Sequence, residues 1–332
     1  MRFELTAEQQ DFAATLDKLL LAADTVAVAR AWAEGDTAAG LALWRRLADQ
    51  GVTALLISEE AGGLGASPVE LVIAMEAIGR HGVPGPWVET SFMTRLVEGT
   101  PDLDSRDEVQ ASVAAGEELV SLAFPPLVPF ALDADVSRTM LVEDGTLRVP
   151  TVEDPVTSID PTRRLFAVGS GRALVDVPAD HVDAAFDLAV LAVSAQLLGA
   201  GERLLADSVT YVKQRKQFGR EIGSYQAIKH QLADVRIALD FARPLIQGAA
   251  LTISGTDGSR DVSAAKVAVS DAAYRASRVA LQVHGAIGYT QEFDLSLWIT
   301  KVRALVGAWG TPAYHRGRVL DALVSTSPGN GG

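Results

Sequence analysis

Between Phe186 and Tyr211 the chain reads FDLAVLAVSAQLLGAGERLLADSVTY, a helical stretch that is apolar on more than one face. Such a helix has no side to offer to water, so other helices must surround it. The sequence supplies them. Ile228, Leu232, Val235, Leu239, Ala242, Ile246, Ala249 and Ile253 recur at alternating steps of four and three, as do Ala265, Val269, Ala272, Ala276, Val279 and Val283. Stripes of that kind are the seams of helix bundles. The segment SGTDGS, 254–259, is the turn between two antiparallel helices. Residues 184–324 therefore read as a C-terminal four-helix bundle, followed by a flexible tail, 325–332 (STSPGNGG).

Residues 1–118 read as an N-terminal helical domain. Thr6 with Gln9, and Ser67 with Pro68 and Glu70, are spaced as N-caps and capping boxes. Gly51 closes a helix carrying Leu41, Trp44 and Leu47, and a later helix ends near Gly82, where Pro84 and Pro86 forbid continuation. From 119 to 183 the period changes. LVSLAF, RTMLVEDG, TLRVP, RLFAVGS and ALVDVPAD are short, rich in β-branched or aromatic residues, and punctuated by Gly, Pro and Asp. They predict a small antiparallel β domain. The fold class is mainly α with a small β domain.

The chain carries 29 Lys plus Arg against 42 Asp plus Glu, a net charge of −13. Nucleic acid is thereby disfavoured as a partner, because phosphate binding needs a broad basic face. There is no cysteine, so disulfides, thiolate nucleophiles and cysteine-based metal sites are excluded. The five histidines (His81, His181, His230, His284, His315) are scattered without zinc-ligand spacing, and no metal is expected. No uncharged apolar run reaches 18 residues and MRFELTAEQQDF has no signal-like core, so no membrane span is expected and the expected place is the cytoplasm.

Against this acidic background, YVKQRKQFGREIGSYQAIKHQLAD, 211–234, gathers Lys213, Arg215, Lys216 and Arg220 around Phe218 and Gly219. That stretch closely resembles the best-known signature of the acyl-CoA dehydrogenase family. Three further stretches resemble the family in the same order: GVTALLISEEAGGLGAS, AMEAIGRHGVPGP and QVHGAIGYTQEFDL. The resemblance implies flavoenzymes that oxidise the Cα–Cβ bond of acyl-CoA thioesters, with FAD as cofactor. It implies that Arg215 meets the FAD diphosphate of a neighbouring subunit, where a guanidinium fork suits two phosphates. It also implies that Phe218 packs against the adenosine side, that Gln226 hydrogen-bonds the cofactor, and that Gln282, Val283, His284, Gly285 and Ala286 cover the adenosine diphosphate.

Two departures from the family pattern shape the functional reading. The family's base is a glutamate that takes the substrate α-proton while hydride leaves Cβ for the flavin. At its usual place near the C-terminus this chain has Trp309, in GAWGTP, and at the alternative place on the helix entering the bundle it has Ala189. Asp187 lies on the wrong helix face and Glu202 more than three turns downstream. The second departure is in the β domain, where SLAFPPLVPFALDAD stands in for the segment that cradles the flavin ring and thioester. Contacts to a neighbour's FAD are kept, while those to the chain's own FAD and substrate are lost. By resemblance the chain is the shorter subunit of a heterotetrameric (α2β2) acyl-CoA dehydrogenase. Its partner would be a longer homologous subunit that provides most of the acyl-CoA contacts, the acyl group being bulky, such as a sterol side chain. Two alternatives stand beside it. One is an autonomous dehydrogenase with a displaced base, for which Glu59, Glu60, Glu202 and Glu292 are candidates; the other is a flavin-free structural partner.

Overall fold

The computed structural model describes residues 3–290 and 293–326. Its axis is a 36-residue helix, α7 (Ala179–Gln214), about 54 Å long at 1.5 Å per residue. By length and composition α7 could cross a membrane, but 94% of its most apolar window is buried inside the protein, as befits a core helix. The helices of the bundle are α8 (Gln226–Thr252), α9 (Gly258–His284), α10 (Leu295–Gly307) and α11 (Pro312–Thr326). Both sequence stripes face inward: Val235, Leu239, Ala242, Ile246 and Ala249 on α8, and Ala265, Val269, Ala272, Ala276 and Val283 on α9, are buried. Because α8 runs back along α7 and α9 runs forward again, the C-terminal ends of α7 and α9 and the N-terminal end of α8 meet at one end of the bundle. A ring stack of Tyr211 on His284, 4.1 Å between centroids, fixes that meeting.

Six helices precede the sheet: α1 (Ala7–Leu21), α2 (Thr25–Ala33), α3 (Ala38–Ala48), α4 (Pro68–His81), α5 (Trp87–Glu98) and α6 (Arg106–Ala114). Both capping boxes form, Thr6–Gln9 on α1 and Ser67–Glu70 on α4. Helix α4 ends on Gly82 at φ 66°, a left-handed conformation that costs a glycine little. The glutamate-rich loop before α4 makes a single 3-10 turn, Glu59–Ala61.

The sheet has five strands, β1 (Val120–Ala123), β2 (Ala131–Leu132), β3 (Arg138–Glu143), β4 (Thr146–Val156) and β5 (Leu165–Asp176), in the order β1-β3-β4-β5-β2. It departs from the sequence expectation in two respects. The unit is not wholly antiparallel, because β1 and β3 run parallel, with Val120 opposite Arg138. The chain leaves β1 through Pro125 and Pro126 and lays β2 on the far edge before returning, so β3 re-enters in the direction of β1. In addition, RLFAVGS and ALVDVPAD are one strand, β5, since Gly169 and Gly171 lie inside the ladder with β4 rather than at a turn. There is no room for a side chain at Gly171, where a Cβ would lie 1.9 Å from the Val149 carbonyl oxygen. The Leu132 N–H donates to Ser121 Oγ (2.9 Å), a contact between the sheet's two edge strands. The last residues of the chain's tail, 327–332, fall outside the described residues, while Ser325 and Thr326 continue α11.

Helices α4 and α7 pack backbone to backbone. A Cβ on Gly79 would lie 2.1 Å from the Gln196 carbonyl oxygen, and one on Gly199 would lie 2.0 Å from that of Glu76. A backbone carbonyl cannot swing aside as a flexible side chain can. Gly199→Ala should therefore separate the helices, an overpacking cost of about 1–3 kcal/mol that outweighs the ~1 kcal/mol gained in helix propensity. Chemical denaturation of the variant should show a lower midpoint at unchanged m-value; an unchanged midpoint would contradict this packing.

Candidate functional site

The two ends of α7 carry different chemistry. At its C-terminal end the chain passes into a hairpin, β6 (Lys216–Gln217) and β7 (Arg220–Glu221), and then through one 3-10 turn, Ile222–Ser224, into α8. Every residue from Lys213 to Arg220 is exposed. Lys213, Arg215, Lys216 and Arg220 form no ion pair among the described residues, although the protein has an excess of acid; Arg220 lies instead over the Tyr225 ring at 3.9 Å. The hairpin tip is Phe218–Gly219, both at positive φ (51° and 79°), as a two-residue turn with a left-handed bend requires. A bulky side chain in that conformation costs about 1–2 kcal/mol. Phe218 is nevertheless 91% exposed, so nothing among the described residues repays the strain.

The remaining residues of this end are close by. Gln226 is exposed at the first position of α8, which begins at Tyr225 with no side-chain cap, leaving its N-terminal amides open toward anions. Gln282, Gly285 and Ala286 are exposed at the end of α9. Gly285 sits at φ 64°, ψ −139°, a region closed to side-chain-bearing residues, and its outer side is open. Val283 and His284 are buried, so only their backbone faces out. The His284 Nδ1–H donates to the Ala280 carbonyl (2.8 Å), and burial holds its pKa below the ordinary histidine value. Taken together, this end is an exposed concentration of cations, an aromatic tip and open amides: a surface built to receive an anion that carries an aromatic group.

The opposite end holds Trp309, where the sequence resemblance leads one to expect a base, and its surroundings are filled. Trp309, 1% exposed and at φ 57°, lies 5.3 Å from Phe92 and 6.2 Å from Phe186, ring to ring. Phe124, from LAFPP, completes the cluster at 5.8 Å from Phe92 and 6.2 Å from Phe186. Residues from separate parts of the chain thus converge: the turn before α11, helix α5, the segment after β1 and the entry to α7. Ala189 is fully buried in α7. The His315 Nε2–H donates to the Trp309 carbonyl (2.9 Å), while its Nδ1 accepts from Ser263 Oγ (3.2 Å), which pins the turn.

The carboxylates considered from sequence are otherwise engaged. Asp187 pairs with Arg318 (2.8 Å) and accepts a hydrogen bond from Ser259. Glu202 is shared between Arg236 (3.1 Å) and Arg243 (3.0 Å), with Arg243 bridging on to Glu76 (2.7 Å). Glu59 and Glu60 are exposed on their loop, and Glu292 lies outside the described residues. Sequence reasoning missed Glu89, which is fully buried on α5. The Trp309 indole N–H faces its carboxylate without closing a well-aligned bond. Burial holds the Glu89 carboxyl above the usual range, and Arg163, 3.8 Å away, only partly offsets that. Its signal was visible: it is the lone carboxylate in the otherwise apolar and hydroxylic run WVETSFM. Nearby, burial pushes Asp133 up to about 7 and Lys266 down to about 7, with the Lys266 ammonium tied to the Leu305 carbonyl (2.7 Å).

An FAD ring and an acyl thioester need an open pocket with polar donors. The aromatic cluster and the orphaned Glu89 carboxylate behind it do not fit that need. The hairpin end does fit the polar half of a dinucleotide.

Comparison with known proteins agrees in outline. The sequence models of the acyl-CoA dehydrogenase N-terminal and C-terminal domains match residues 6–117 and 180–324. The chain is 31% identical over 327 residues to the acyl-CoA dehydrogenase IpdE2 of Mycobacterium tuberculosis, covering 97% of this chain and 98% of that one. Among solved structures it resembles the Tcur3481–Tcur3483 steroid ACAD (TM-score 0.84, 19% identity, 96% of this chain and 98% of that one). It also resembles the ChsE4–ChsE5 complex from Mycobacterium tuberculosis (TM-score 0.83, 20% identity, 99% and 100%).

The pinned turn has a pH signature. Burial pushes His315 down to about 4, reinforced by Lys266 and Arg318 and opposed by the Trp309 carbonyl. Its unfolded value is near 6.5, so the unfolded chain takes up the proton first. The stability contributed by neutral His315 is complete above pH ~6.5 and is lost as pH falls toward ~4. Denaturation of wild type and His315→Gln across that window should show the wild-type advantage shrinking by on the order of 2 kcal/mol. An advantage constant with pH would contradict the buried neutral imidazole.

Proposed function

This chain belongs to the acyl-CoA dehydrogenase family, and on that premise we propose that it is the flavin-lending subunit of a cytoplasmic, hetero-oligomeric (α2β2) acyl-CoA dehydrogenase. FAD is the family's cofactor. In this reading the flavin ring and substrate reside in a longer homologous partner. Arg215 holds the diphosphate, Phe218 packs on the adenosine side, Gln226 adds a hydrogen bond, and Gln282 with the backbone of Val283, His284, Gly285 and Ala286 covers the adenosine diphosphate. The observation that carries the reading is the contrast between the two ends of α7. The hairpin end is open, cationic and unpaired among the described residues, while the place at the other end where a base would belong is filled by the rings of Phe92, Phe124, Phe186 and Trp309. At about 54 Å for the whole helix, the two ends cannot serve one flavin. The two-chain composition of the ChsE4–ChsE5 complex and the steroid description of the Tcur3481–Tcur3483 enzyme support a hetero-oligomer acting on a bulky, sterol-like acyl-CoA.

A second reading has one observation in its favour. Glu89, buried with its carboxyl held toward the protonated form beside Trp309, is the best remaining candidate for a displaced base in an autonomous enzyme. It would require the aromatic cluster to open.

Co-expression with the longer homologous chain should give a yellow complex, and Arg215→Ala should weaken its hold on FAD. Losing one charge-assisted contact of about 1.5–3 kcal/mol corresponds to roughly 10- to 150-fold in Kd, read as lower FAD per complex at limiting FAD. Unchanged flavin content would favour the flavin-free scaffold instead. In the same complex Glu89→Gln should leave turnover intact; its loss, in a complex of unchanged assembly and flavin content, would favour the second reading. Trp309→Glu in the isolated chain should produce no dehydrogenase activity, because the flavin cradle is missing as well as the base.

A further inference from the structure

Tyr211 and His284 stand where the two halves of the hairpin-end surface join. Arg215 lies one helical turn beyond Tyr211, and its backbone is held on both sides. Its N–H donates to the Tyr211 carbonyl (2.9 Å), and its own carbonyl accepts from the Ile222 N–H (2.8 Å) across the base of the hairpin. On α9, His284 immediately precedes Gly285, whose positive φ ends the helix. The 3-10 turn Gly285–Tyr289 then folds back on His284, so closely that a Cβ on Gly288 would lie 3.2 Å from the His284 Cβ. The cations and the open glycine backbone thus come from different helices, and the Tyr211–His284 stack links them.

The His284 ring is held in one orientation. It is buried, and it meets Tyr211 at 4.1 Å and Phe293 at 5.3 Å, ring to ring. Its Nδ1–H bond to the Ala280 carbonyl, one turn back, keeps the imidazole from rotating out of the stack. An aliphatic side chain could fill this volume but has no face to stack; a phenyl ring could stack but not hydrogen-bond. Burial favours the neutral ring, opposed by the Ala280 carbonyl and by the Asp207 carboxylate, which is itself paired with Arg203 (2.7 Å).

We propose that His284 is a positioning residue for the cofactor: through its stack on Tyr211 it sets where Arg215 stands relative to the Gly285–Ala286 backbone, and so the opening offered to the FAD diphosphate. The inference rests on the flavin-lending reading and adds to it a side chain that acts without touching the flavin. A charge-assisted hydrogen bond holds its atoms at about 2.7–2.9 Å, so a shift of about 1 Å between α7 and α9 forfeits it.

The test is equilibrium dialysis of the co-purified complex against graded FAD. His284→Ala should raise the Kd by on the order of 10-fold, at the lower end of what loss of the Arg215 contact itself brings. His284→Phe, which keeps a ring against Tyr211, should recover most of that affinity. Tyr211→Leu removes the stack from the α7 side and should match His284→Ala. Added to Arg215→Ala, His284→Ala should cost no more than about twofold further, because the contact it positions is already gone. Wild-type affinity in both His284→Ala and Tyr211→Leu overturns the proposal. So does a full additional loss on top of Arg215→Ala, or a His284→Phe variant no better than His284→Ala; either would make His284 packing alone. If one stack variant no longer co-purifies with the longer chain, the other decides by the same comparison; loss of the complex in both overturns the proposal, since the stack then serves assembly. Failure of the flavin-lending reading looks different: Arg215→Ala itself then leaves FAD affinity unchanged, and this proposal falls with it.

Discussion

The burial of α7 on all sides is the constraint on which the rest depends. A 36-residue helix that is apolar around most of its circumference must be enclosed, and α4, α5, α8, α9 and α10 enclose it. Its rigidity then sets a fixed separation between the two ends of the bundle. The hairpin follows directly from its last turn, and the aromatic cluster gathers about Phe186 in its second. Neither end can drift toward the other without unpacking the core. The close approach of Gly79 and Gly199 adds a registry point along the way.

Given that separation, the two ends have followed different physical logic. At the hairpin end the chain tolerates costs with no return among the described residues: unpaired cations, a strained and solvent-facing Phe218, an uncapped helix start. Such costs make sense where a ligand or another chain completes the surface. At the other end apolar rings fill the space around Trp309. One replacement without the others would leave a void or an isolated charge. Trp309 fills the volume, Phe124 and Phe92 meet it, and His315 fixes its carbonyl. The buried charges Glu89, Arg163, Asp133 and Lys266 remain as a partly satisfied network around the closure.

Much of this was legible in the sequence because the signals were local or periodic. The capping residues Thr6 and Ser67, the stop at Gly82, and the stripes of α8 and α9 each depend on neighbours within one or two turns. The exposed run Lys213–Arg220 could be picked out because its charge opposes the chain's overall balance. What escaped depends on long-range pairing. The parallel pairing of β1 with β3 is decided by where β2 is laid, and the continuity of β5 through its glycines by its partner β4. The engagement of Glu202 with Arg236 and Arg243, and the proximity of Glu89 to Trp309, join residues far apart in sequence. Carboxylate identity is written in the chain; carboxylate availability is not.

The central claim is spatial: this chain touches the phosphate tail of a flavin whose ring lies elsewhere. The most direct measurement is a cryo-electron microscopy map of the complex with its longer homologue, at a resolution that separates the flavin ring from the diphosphate. The account expects the diphosphate against Arg215, the ring within the partner, and side-chain density alone among Phe92, Phe124, Phe186 and Trp309. Flavin ring density inside that aromatic cluster, or a diphosphate far from Arg215, would contradict it.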